Sequence, residues 1–300
     1  MFMRRISKLL AEPAFRADPV AVIGRAVALT GMVALGREPI FPLTKGGERL
    51  RVPADLRYTT VSAYLLRDRV EPDLHELHRL LGPGDIFLDV GANIGLYTVK
   101  AARLVGSTGK VIALEPGHEA YLRLQRNVEL NGFGHVTMLR EAASDTDGEA
   151  LLHHVPLGDD PQAFSLIANA RAEAGERVKT RRLDRLVEDL GLTRLDLVKI
   201  DVEGAEPMVL RGGLESLARL KPAVLFECNA YLNAGGEGGS AETSWALLEG
   251  IGYRFFRLID GDFRPIDVAP GDFCNILAVH PEAASRISAG CGRAEASPGS

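Results

Sequence analysis

The chain is poor in the features that would tie it to a disulfide, metal, nucleic-acid or membrane scaffold. Three cysteines, Cys228, Cys274 and Cys291, are unevenly spaced among 300 residues, with no Cys-x-x-Cys pair. A disulfide framework and a cysteine-based zinc site are therefore not expected, and a reducing cytoplasm is the expected compartment. Positive charge is not in excess, since 35 Lys and Arg stand against 40 Asp and Glu for a net charge of −5. Phosphate backbones gain no general attraction to such a chain, so nucleic acid is not an expected partner. Val20 to Leu35 is apolar but short for a bilayer span, and Arg25 interrupts it. No apolar core follows directly on the basic Arg4, Arg5 and Lys8, as a secretory signal requires. What is present is ordinary for a globular protein, 46% hydrophobic and 25% charged residues, with length for one large α/β domain and an N-terminal extension.

The informative segment runs from Ile86 to Thr98. Ile86-Phe-Leu-Asp89-Val90 is apolar without alternation, as in a strand covered on both faces of a parallel sheet. Gly91-Ala92-Asn93-Ile94-Gly95 follows as a tight turn into a helix, with Gly91 and Gly95 bending the backbone and leaving room for a ligand. A dinucleotide fingerprint needs a glycine where Asn93 stands, so pyrophosphate is disfavoured. The loop suits a nucleoside without phosphates, such as S-adenosylmethionine, with Asp89 available to an ammonium or a hydroxyl.

Two further strands end in acids. Lys110-Val-Ile-Ala-Leu114 leads to Glu115-Pro116, and an acid at this distance beyond a glycine loop can accept from both ribose hydroxyls. Leu195 to Ile200 leads to Asp201, Glu203 and Glu206. Carboxyl ends of parallel strands are where open α/β sheets bind ligands, which favours a functional reading over a solvated charge run.

The segments Asp89 to Gly95, Glu115-Pro116, Ser144 to Gly148 and Lys199 to Glu206, with Leu183 to Leu186 and Phe226-Glu227, resemble the FkbM family of S-adenosylmethionine-dependent methyltransferases over roughly residues 60 to 280. The resemblance implies a class I, Rossmann-like α/β fold, a seven-stranded, mostly parallel sheet whose last strand is antiparallel. It also implies O-methylation of a hydroxyl on a sugar, polyketide or related metabolite. It assigns Asp89, Gly91, Ala92, Asn93 and Gly95 to the amino-acid end of the cofactor, Glu115 and Pro116 to the ribose, and Glu141 and Ala142 to the adenine. For catalysis the candidates are Asp201, Glu203 and Glu227, a base for the acceptor hydroxyl. Two arrangements stay open: a carboxylate acting alone, which is preferred, or Asp201, Glu227 and Asn229 converging on a divalent ion such as Mg²⁺ or Ca²⁺. Glu206 reads better as a first-turn helix residue beside Pro207. N- or C-methylation and a non-catalytic cofactor-binding relative are the competing functions, and an NAD-dependent oxidoreductase is weaker because the glycine pattern is wrong.

Residues 1–57 are expected to form a helical extension packed on the domain, a membrane-surface or partner-docking arm being the second reading. The methyltransferase domain is expected over 58–280 and a disordered tail over 281–300. Within the domain the pattern predicts a helix over Glu71 to Leu81, a third strand over Val136 to Ala142, and an antiparallel hairpin inserted between residues 150 and 183. A glycine-rich mobile loop is expected over Ala234 to Ser240. Tyr253 to Ile259 and Phe273 to Val279 should close the sheet as an antiparallel pair, with a turn at Asp260-Gly261. Tyr64 is placed near the site, walling a pocket.

Overall fold

A computed structural model describes Phe15 and residues 18–154, 164–166, 173–228 and 241–286. The chain begins with α1 (Pro19–Ala34), whose Asp18 side chain caps the first turn by accepting from the Ala21 N–H. Strands β1 (Ile40–Pro42) and β2 (Arg49–Arg51) pair antiparallel, and α2 (Tyr58–Leu66) and α3 (Pro72–Glu76) follow. The core then runs through β3 (Ile86–Val90), α4 (Leu96–Val105), β4 (Lys110–Leu114), α5 (His118–Asn131) and β5 (Val136–Leu139). A smaller sheet comprises β6 (Ala142–Ala143), β7 (Gly148–His154), β8 (Phe164–Ser165) and β9 (Glu173–Arg181). The chain returns to the core through α6 (Leu183–Asp189), β10 (Leu197–Ile200), α7 (Glu206–Arg211), α8 (Leu214–Leu220) and β11 (Ala223–Cys228). It closes with α9 (Ala241–Glu249), β12 (Arg254–Ile259), β13 (Asp262–Ile266) and β14 (Cys274–Val279).

The large sheet has the order β13-β12-β14-β11-β10-β3-β4-β5. Strands β5, β4, β3, β10 and β11 are mutually parallel, and β14 runs antiparallel between β11 and β12. Seven of the eight strands reproduce the expected sheet with its antiparallel last strand. The eighth, β13, is an added edge strand: Asp260 and Gly261, at φ 52° and 84°, make the tight turn that folds it back on β12. After β3 the chain builds outward to β5 and then returns to the opposite side of β3 as β10. The strand order therefore reverses between β3 and β10, and the crevice beyond their carboxyl ends is the place such a sheet offers a ligand.

Burial of both faces explains the unbroken apolar strands. Leu88, Val90, Ile112, Leu114, Val198, Ile200, Val224 and Phe226 form one core, with α6, α7 and α9 against it. Phe87, Val111, Leu197 and Leu225 point to the other face, against Leu74, Leu77, Tyr97 and Ala101. The extension is held in two ways. Val22, Leu29, Phe41, Leu43, Leu50 and Val52 pack with Leu65, Leu66, Ile94 and Val99. The side chains of Asn127 and Asn131 on α5 then hydrogen-bond the backbone of Arg51 and Arg49, satisfying the open edge of β2 as a third strand would.

Several expectations need correction. The helix read over Glu71 to Leu81 is two short pieces, because Glu71 is extended (φ −128°, ψ 131°), Pro72 opens α3, and Leu77–Arg79 tightens into a 3₁₀ turn. The third strand stops at Leu139; Ala142 and Ala143 have left the large sheet and pair with β9. Tyr64 packs edge-on against Phe41 under the Arg67 guanidinium, in the core of the extension, and does not line the cavity described below. The extension contains the β1–β2 pair as well as helix. Pro281–Arg286 forms a 3₁₀ turn, whereas the basic N-terminal residues, Asn229, the glycine-rich loop 234–240 and residues 287–300 lie outside the described residues. Among the described residues no helix is long and apolar enough to cross a membrane.

Candidate active site

A cavity of about 610 Å³ opens at the carboxyl ends of β3, β4, β10 and β11, a size typical of small-molecule sites. It is lined by Asp89, Gly91, Ala92, Asn93, Glu115, Pro116, Glu141, Ala142, Asp201, Glu203 and Glu227, so eleven of the candidates named from the sequence converge there. Gly95 is not among its lining residues; it stands one turn back as the cap of α4, at φ 96°.

The loop after β3 depends on its glycine for a reason the sequence did not show. Gly91 has φ 82°, and a Cβ built on it would lie 1.9 Å from the backbone oxygen of Asp201. Here the glycine lets two loops cross: the turn after β3 passes against the turn after β10, and the Asp201 N–H donates to Val90 O at 3.0 Å. Asn93 is itself left-handed (φ 50°), and its side-chain Oδ1 is buried without a hydrogen-bond partner.

Glu115 organises this loop. One carboxylate oxygen accepts from the Asn93 N–H at 2.7 Å and the other from the Gly117 N–H at 2.8 Å. Each oxygen keeps a further lone pair for a ligand donor. Burial raises its pKa to about 7 despite those two bonds. Asp89, at the end of β3, accepts from the Thr98 hydroxyl at 2.5 Å, and burial raises it to about 6. Glu141 is paired with Arg181, its Oε2 2.7 Å from Nε.

Across the crevice Asp201 directly follows β10, with its side chain 31% exposed and Oδ2 3.2 Å from Lys199 Nζ. Glu203 is held left-handed at φ 53°. Glu206 takes the structural part foreseen for it: it is 5% exposed and its Oε1 accepts from the Val202 and Gly204 N–H groups, closing the turn before α7. Glu227, at 8% exposed, has its pKa pushed well up by burial and then by the negative charge of Asp201, Glu203 and Glu206.

The group that sequence reasoning passed over is Lys199. It is 1% exposed in the middle of β10, its ammonium 3.2 Å from Asp201, 3.5 Å from Asn275 Oδ1 and 5.1 Å from the centre of the Tyr97 ring. Burial works against its charge, but Asp201, Glu71 and Glu227 more than offset that and hold the ammonium above its usual range. The signal was available: a lysine inside the apolar run Leu197-Val-Lys-Ile200 must find a buried counter-charge. Glu71, Asp73 and Asn275, which also line the cavity, lie outside every motif and carried no such signal.

The raised carboxyls predict a pH dependence. Asp89, Glu115 and Glu206 titrate near 6, 7 and 7 in the fold and near 4 when unfolded, so the folded state binds more protons between those values. Their contribution is fully present below about pH 4 and is lost as pH rises through about 7. The ligand-free protein should therefore lose stability on the order of a few kcal/mol from these groups between about pH 5 and pH 8. Urea unfolding at the two pH values checks this, and equal or rising stability would contradict it.

The model of the methyltransferase FkbM domain matches residues 89–255, more than half of the chain. The chain belongs to the FkbM methyltransferase family. Its large sheet is mostly parallel, with β14 antiparallel between β11 and β12, as the resemblance led us to expect. Among curated relatives, hexuronic acid methyltransferase AglP of Haloferax volcanii is 31% identical over 133 residues, covering 44% of this chain and 52% of that one. The 2-O-methyltransferase NoeI of Sinorhizobium fredii is 26% identical, covering 46% and 61%. The 31-O-demethyl-FK506 methyltransferase FkbM of Streptomyces tacrolimicus is 29% identical, covering 55% and 75%. The chain thus spans between half and two thirds of the length of the first two relatives.

Proposed function

We propose that this FkbM-family protein transfers a methyl group from S-adenosylmethionine to a hydroxyl of a small-molecule or glycan acceptor. The observation that carries the reading is the cradle formed by the Asn93 loop and Glu115. It pairs a buried, unpartnered Asn93 Oδ1 with a carboxylate whose orientation two backbone N–H groups fix. These groups fit a ligand rich in donors and free of phosphate. Asp89, Gly91, Ala92, Asn93 and Gly95 shape the end that takes the amino-acid part, Glu115 with Pro116 accepts from the ribose, and Glu141 and Ala142 border the adenine. Bound S-adenosylmethionine supplies an activated methyl on a sulfonium. The chain's contribution is to exclude water, hold the acceptor in line and take its proton.

Asp201 is the base in this reading. It faces the cavity at the end of a rigid strand, and Lys199 fixes one of its oxygens. Glu227, its pKa pushed up by burial and by the neighbouring carboxylates, lines the same cavity with Glu203 and can hydrogen-bond the acceptor. A purely carboxylate-based mechanism is favoured over a divalent ion for a physical reason. The Lys199 ammonium pairs with Asp201 and is attracted by Glu227, and a second, doubly charged cation beside it would be repelled. The choice of an oxygen acceptor follows the relatives, whose names include a 2-O-methyltransferase and a 31-O-demethyl-FK506 methyltransferase. The test is transfer of a trideuteriomethyl group from labelled S-adenosylmethionine to a panel of hydroxylated sugars and polyketides, read by mass spectrometry. Oxygen-linked label that is unaffected by EDTA is expected. Label only on nitrogen or carbon, or turnover abolished by EDTA and restored by Mg²⁺, would overturn the corresponding part.

A further inference from the structure

One set of polar groups in the cavity is explained neither by the cofactor cradle nor by the base. Asp73, in the first turn of α3, is 6% exposed and lines the cavity, and its Oδ1 is buried with no hydrogen-bond partner. The carboxylate is nonetheless held in place. The Asn275 side chain hydrogen-bonds it, and Asn275 Oδ1 in turn lies 3.5 Å from Lys199 Nζ, so the relay runs from β10 through β14 to α3. Two residues earlier, Glu71 also lines the cavity and accepts from the Tyr97 hydroxyl at 2.6 Å. Buried polar oxygens are almost always satisfied, so an unpaired one on a residue that lines a cavity marks a place for a ligand donor. Burial pushes the Asp73 carboxyl up, against its Asn275 hydrogen bond, and an incoming donor relieves that.

Charge narrows the class of ligand. Among the described residues, Glu71, Asp73, Asp201 and Glu227 share one buried cation, Lys199, and Arg257, which also lines the cavity, is already held by both oxygens of Asp272. An anionic group brought into this corner is repelled. Asp73 and Asn275 also stand on either side of residues 89–255, outside the part that matches the family, so this corner belongs to the chain's own flanks.

We infer that Asp73, flanked by Glu71 and Asn275, is an acceptor-recognition subsite that takes a hydroxyl or an ammonium from an acceptor bearing no negative charge. This rests on the methyl-transfer reading and adds the substrate class to it.

The test uses the full chain saturated with S-adenosylhomocysteine, titrated by ligand-observed NMR with three probes: methyl glucopyranoside, its 2-amino-2-deoxy analogue and methyl glucopyranosiduronate. The neutral and amino probes should bind and the uronate should be weaker by about tenfold or more. Preference for the amino probe identifies an ammonium as the donor, and equal binding identifies a hydroxyl. Asp73→Asn should weaken the favoured probe by about tenfold or more while leaving the calorimetric affinity for S-adenosylhomocysteine within about twofold. Should that variant not fold, Asn275→Ala, which releases the carboxylate, should give the same pattern. The subsite is overturned if the uronate binds as well as the neutral probe, if no probe binds, or if the variant leaves the probes unaffected. It is equally overturned if Asp73→Asn weakens S-adenosylhomocysteine as much as the probe, because Asp73 then serves the cofactor. Failure of the unaltered protein to bind S-adenosylhomocysteine at all brings down the methyl-transfer reading and this subsite together.

Discussion

Asp201→Asn should lower turnover by about 10²–10⁴, the loss that follows removal of a positioned base, while S-adenosylhomocysteine affinity changes little. Asparagine keeps the shape and an oxygen for Lys199, so the backbone crossing with Gly91 and the β10 register survive. What the proposed mechanism loses is the group that takes a proton from the acceptor hydroxyl. Steady-state release of S-adenosylhomocysteine, with an acceptor found in the labelling experiment, measures it. A fall in kcat with unchanged cofactor affinity is expected, whereas full activity would move the base to Glu203 or Glu227.

Lys199→Met should destabilise the protein by about 3–5 kcal/mol at pH 8, the scale for removing one partner of a buried ion pair. Methionine matches the length and fills the space beneath the Tyr97 ring, so the effect is one of charge. Without the ammonium, Asp201, Glu71 and Glu227 repel one another in a dry site. Burial holds Glu71 and Glu227 above the ordinary carboxyl range, so they take up protons first as pH falls and the loss should be smaller at pH 5. Urea unfolding at both pH values gives the comparison. A loss below about 1 kcal/mol at pH 8, the range of an ordinary surface change, would show that Lys199 does not neutralise the cluster.

The part of the site that was legible in the sequence is the part written in short contiguous motifs. Apolar strands ending at Asp89, Glu115 and Asp201 could be read because burial of both sheet faces removes alternation, and the change from apolar run to acid marks the sheet edge. Gly91 was legible as a turn but not as the crossing point with Asp201, because that contact joins residues 110 positions apart. Wide separation in sequence also hides the Lys199–Asn275–Asp73 relay, which the β10–β11–β14 register and the packing of α3 bring together. Strand three was overrun because Glu141 and Ala142 look continuous with it. The chain instead bends at Arg140 and Glu141, where Glu141 pairs with Arg181 and Ala142 begins the second sheet. The β13 edge strand was missed because Arg264 and Pro265 interrupt any apolar pattern, as an edge tolerates and a central strand does not.

The central claim is that the cavity between the Asn93 loop and Glu115 binds the methyl donor, and calorimetric titration with S-adenosylhomocysteine tests it most directly. The unaltered protein should bind S-adenosylhomocysteine and not NAD. Glu115→Gln should weaken that binding by about 1.5–3 kcal/mol, roughly 10- to 150-fold, because its amide removes the charge and turns one of the proposed ribose acceptors into a donor. Binding of NAD in preference to S-adenosylhomocysteine, or unchanged affinity in a folded Glu115→Gln protein, would contradict the account.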